Sequence, residues 1–172
     1  MSLPKNNFKK AMHTTILLCK AWEDGSISDE VLSDRVLELL ETIEGARGFF
    51  VISLSNDCPL MDRLPSPLVI ALRIQGEMIV DLLVKNLAMS TAMAISHGEN
   101  KESIQKETSL RISQRCKEIL RLMDSKQVKE RLERLVFATD GKGSDVTFIK
   151  RWNYNKQQIE AIRDSAFDVA KN

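Results

Sequence analysis

"SPLVIALRIQGEMIVDLLVKNLAMSTAMAISH", Ser66 to His97, is the stretch whose reading decides the fold. Ser66 suits a helix cap, Pro67 suits the first helical position, and Gly98 is the next strong stop. Its polar stripe is narrow: Arg73, Glu77, Asp81 and Lys85 follow one another four apart, the spacing of neighbours on one helix face. From Met78 onward the helix is apolar on most of its circumference. A helix apolar nearly all round needs neighbours on several sides, so the pattern predicts a central rod inside a helical bundle. Gly76 is its weak point, where the rod can divide into two pieces.

The flanking sequence supplies the neighbours. Phe8, Met12, Thr15/Ile16, Cys19 and Trp22 recur at helical spacing between about residues 6 and 23. Ser28 is placed to cap a second helix, with Asp29 and Glu30 in the first turn, where the macrodipole favours anions. Its apolar face runs from Val31 through Leu32, Val36, Leu39 and Leu40 to Ile43, and Gly45 is read as its end. Periodicity alone does not assign residues 47–55 to helix or strand. A lone strand leaves its ladder groups unpaired, which favours a short buried helix.

After Gly98 the spacing predicts a helix over about residues 101–123, with Ile104, Thr108, Ile112, Cys116, Ile119 and Met123 inward. Asp124 or Ser125 then caps one that buries Val128, Leu132, Leu135 and Val136. Ser144 is read as opening a short helix to Arg151. Asn155, with Gln158 three residues on, makes a capping-box pair ahead of Ile159, Ile162, Ala166 and Val169. The expected fold is therefore all-α: residues 1–172 form one domain of about six or seven helices around the central one.

Composition narrows the function. Apolar residues make up 43% and charged residues 28%, ordinary for a soluble globular chain. The net charge of +1 supplies no global field for nucleic acid or membrane. Residues 1–100 carry nine Lys/Arg against thirteen Asp/Glu, and residues 101–172 carry sixteen against eleven. Most of those cations alternate with acids and read as solvated helix faces. No stretch is read as long enough for a membrane span. Cys19, Cys58 and Cys116 are odd in number and far apart, so reduced thiols in a cytoplasmic protein are expected.

No catalytic constellation, metal-ligand spacing or cofactor motif emerges. Two places carry candidate chemistry. Asn86, Ser90, His97 and Cys116 could line a ligand pocket beside adaptable methionines, although a tight helix crossing or a dimer seam is the favoured explanation of Ala88, Ala92 and Ala94. Lys150, Arg151, Trp152 and Tyr154 offer two stacking rings among cations, as a nucleic-acid surface would. Lys150, Arg151 and Lys156 are few cations for phosphate binding, so nucleic acid is the disfavoured partner. The leading expectation is a non-enzymatic interaction or regulatory module that binds a protein partner or itself as a homo-oligomer. A small-molecule-binding bundle, which could be an enzyme, is the alternative, and nucleic-acid binding by the basic half is a further one.

Overall fold

The apolar stretch is helical throughout, and it breaks where glycine permits. In a computed structural model describing residues 4–171, the chain folds into nine α-helices and one 3-10 turn, with no strand among the described residues. They are α1 (Pro4–Glu23), α2 (Asp29–Leu39), α3 (Ile43–Ser53), the 3-10 turn Pro59–Met61, α4 (Ser66–Ile74), α5 (Gly76–Glu99), α6 (Ser103–Leu122), α7 (Ser125–Thr139), α8 (Val146–Arg151) and α9 (Lys156–Ala170). Between α4 and α5, Gly76 takes a φ of +43°, a region that side chains disfavour. Pro65, not Ser66, precedes α4, and no side chain caps that helix.

The helices fall into two compact units that divide between Ile79 and Val80, in the first turn of α5. In the first unit α1 packs on α3, and α2 on α4. Gly48 sets how closely α1 and α3 approach. A Cβ there would stand 2.7 Å from the Ala11 Cβ and 2.8 Å from the Phe8 carbonyl oxygen. Phe49 and Phe50, both buried, lie 5.2 Å apart between ring centroids in a tilted arrangement, and Leu32, Val36, Leu68 and Leu72 are fully buried with them. Each such side chain contributes about 1.5–3 kcal/mol on leaving water.

The α2–α3 boundary also differs from expectation. Gly45 does not end α2; it lies in the first turn of α3. Thr42 is the missed cap, accepting a hydrogen bond from the Gly45 N–H at 3.0 Å. Glycine stands there for space, since a Cβ would lie 2.0 Å from the Leu39 carbonyl oxygen. Residues 47–53 are accordingly helix, and Ile43, expected on the α2 face, is exposed.

In the second unit α5 is the apolar member. Val80, Leu83, Val84, Leu87, Ala88 and Ala92 are buried along it. α5 is long and apolar enough to cross a membrane, contrary to the expectation that no stretch is, but half of its most apolar window is buried inside the protein, as in a core helix. Side chains from three helices bond to it. Gln158 of α9 donates to the Ala92 carbonyl (3.0 Å) and to Ser96 Oγ (2.9 Å), Ser113 of α6 meets Thr91 at 3.3 Å, and Arg131 of α7 reaches Asp81 at 2.9 Å. Ala88, Ala92 and Ala94 are all buried on this helix. The capping box that opens α9 is formed as read, with Asn155 and Gln158 exchanging two 2.9 Å bonds.

Candidate functional site

Two cations expected on solvated faces are interior. Arg115 is buried in α6, and Arg131 is 5% exposed in α7. Arg131 Nε donates to Asp81 of α5, and its Nη1 donates to Asp145, the residue preceding α8. Asp81 also accepts from Lys85 at 2.9 Å. Burial would raise the Asp81 pKa, but the hydrogen bonds from Lys85 and Arg131 outweigh it and hold the carboxyl below its ordinary range. Asp145 takes the place expected of Ser144, which is exposed. This triad ties α5, α7 and the α8 start together.

The residues proposed for a ligand pocket do not converge. Asn86 donates to the Leu82 carbonyl of its own helix at 2.8 Å, and Ser90 donates to Leu87 at 3.2 Å. His97 pairs through Nδ1 with Glu102 at 2.5 Å, beside the turn that leaves α5. Cys116 is fully buried, and that burial pushes its thiol pKa strongly upward. Burial likewise raises Cys58 to about 12, and all three cysteines are free thiols. None of Asn86, Ser90, His97 and Cys116 lines the open groove beside them. That groove, about 730 Å³ between α5, α6 and α9, is bordered instead by Thr91, Ile95, Lys106, Ser113, Lys117 and Asp164.

Lys150 and Arg151 are exposed in the last turn of α8, and Trp152 is 49% exposed. The Arg151 guanidinium lies 5.5 Å over the Trp152 ring and covers one of its faces. Tyr154 is half-buried, and desolvation raises its phenol to about 12. Several cations of this half are held in ion pairs. Lys117 pairs with Asp168 at 2.8 Å, and Arg163 with Asp140 at 3.0 Å. Among the described residues no three of His, Cys, Asp and Glu come together to hold a metal ion.

A face that went unremarked in the sequence carries the strongest surface signal. Along α7 and α9, Leu132, Val136, Phe137, Ala166, Phe167 and Ala170 line an apolar cleft of about 200 Å³ edged by Lys129 and Glu133. A second cleft of about 400 Å³, lined by Met123, Val128, Leu132 and Val169, continues it toward the α7 start. Phe137 is 55% and Phe167 45% exposed. Arg163 lies 5.4 Å over the Phe167 ring, steadying it from the rim. The signal was present in the sequence: both phenylalanines fall off the inward faces set by Val128, Leu132 and Leu135 and by Ile162, Ala166 and Val169. Phe137 and Phe167 thus place two exposed aromatic rings on neighbouring helices.

Residues 7–169 match the family described as Uncharacterised conserved protein UCP020893. The chain belongs to that family. No curated protein and no solved structure matches it. The α7–α9 face is therefore read from its own geometry.

Proposed function

We propose that the protein is a non-enzymatic interaction module of the cytoplasm that pairs with a second copy of itself through the α7–α9 face. The observation that carries this reading is the pair Phe137 and Phe167, about half exposed at the edge of an apolar cleft with charged residues at its border. Aromatic anchors beside a pocket, with a polar rim, are the usual energetic centre of a protein interface. The rim carries both signs, Lys129 and Glu133, so a copy of the same face is complementary to it in charge. The test is light scattering on the size-separated full chain at up to roughly 100 μM, where micromolar association shows. Dimer for the native chain and monomer for Phe137→Ser with Phe167→Ser, with an unchanged circular dichroism spectrum, supports the reading. A native chain that stays monomeric overturns it.

A second reading attaches to the groove between α5, α6 and α9. Its volume, about 730 Å³, falls within the range of small-molecule sites. Lys106 enters no ion pair among the described residues, and its ammonium lies beside Gly98. A ligand held there raises the melting temperature by mass action. A metabolite screen without any shift removes this reading.

A further inference from the structure

We infer the register of the self-pairing, an inference that rests on the proposed α7–α9 interface: two copies of α7 run antiparallel about a two-fold axis at the level of residue 131, with Phe137 of each seated in the cleft beside the other's Val128. The exposed positions of α7 that border the clefts are Ser125, Lys129, Glu133 and Phe137, four apart and hence on one stripe. When a helix pairs antiparallel with its own copy, the numbers of facing residues have a constant sum. Setting Phe137 opposite the partner's Ser125 therefore sets Glu133 opposite the partner's Lys129. A single register satisfies the apolar fit and the charge fit, two features that do not depend on each other.

Side-chain direction strengthens the apolar half. Helical side chains lean toward their own N-terminus, so Phe137 reaches past the level of the partner's Ser125. It arrives over the roughly 400 Å³ cleft whose walls include Met123, Val128 and Leu132. The charged half is available as well. Lys129 and Glu133 are exposed and make no ion pair with each other among the described residues. Lysine N-terminal to glutamate is the weaker order for an i,i+4 pair within one helix. Two-fold symmetry makes each contact twice.

The test is a charge exchange read by sedimentation of the full chain. Lys129→Glu places like charges opposite the partner's Glu133, and Glu133→Lys does the same with lysines. Each single variant is expected to dimerise roughly tenfold or more weakly than the native chain. Mixing the two in equal amounts creates opposite charges at both contacts, so the mixture is expected to associate within roughly threefold of native, as is the double variant K129E/E133K. Restoration in the mixture supports the register. Singles that dimerise like the native chain, or a mixture no tighter than its components, overturn it. If Phe137→Ser still abolishes the dimer in that case, the face stands and only the register falls. If the native chain is monomeric, both fall.

Discussion

Replacing Arg131 by methionine leaves two carboxylates in α5 and before α8 without their shared cation. Side-chain exposure is 5% for Arg131 and 10% for Asp145, so water does little to screen that side of the cluster. Asp81 is 33% exposed and keeps Lys85, so its share of the loss is smaller. Breaking a buried pair by removing one partner typically costs about 3–5 kcal/mol, and the retained Lys85 places Arg131→Met near the lower end, about 3 kcal/mol. With a urea dependence of about 1–3 kcal/mol per molar, the midpoint falls by roughly 1–3 M. Equilibrium urea unfolding at neutral pH, followed by circular dichroism, measures it. The loss depends on pH with a definite sign. The Asp81 pKa is depressed in the folded protein, so its contribution is complete above the unfolded value of about 3.9 and is lost as pH falls through the folded value. The gap between native and R131M is therefore widest at neutral pH and narrows below about pH 4. Adding Asp145→Asn to R131M removes the stranded charge and recovers about 1–2 kcal/mol. An R131M chain within about 1 kcal/mol of native at neutral pH, or a gap that stays constant into acid, refutes the claim that this triad holds α5, α7 and α8 together.

Two further perturbations probe the packing. Gly48→Ala drives a methyl into the Ala11 side chain and the Phe8 carbonyl, and is expected to cost about 1–3 kcal/mol by urea unfolding; a neutral result would show that α1 and α3 separate freely. Asn155→Ala removes one cap bond and is expected to cost about 1 kcal/mol. Gln158→Ala removes the other cap bond together with the donors to Ala92 and Ser96, so it is expected to cost more than Asn155→Ala, about 2 kcal/mol, and equal losses would deny the α5–α9 link.

The sequence by itself determined the helical class, the position of the apolar rod and several caps, because these depend on spacing and on residues within one turn. Ser28 and Asn155 cap as their side-chain chemistry dictates, and Gly76 divides the rod where backbone freedom is greatest. Thr42 was legible by the same logic but was masked by Gly45, whose role is space against Leu39 and not chain reversal. The tertiary structure alone decided which polar residues are interior. Arg131 has the local pattern of a solvated cation, and only the meeting of Asp81, 50 residues away, with Asp145 gives it partners that make burial tolerable. It also decided that Asn86, Ser90, His97 and Cys116 satisfy themselves separately or are sealed in, and that Phe137 and Phe167, 30 residues apart, share one face. Periodicity reports which side of a helix turns inward. Which surfaces meet is set by long-range packing, and a one-dimensional pattern does not contain that.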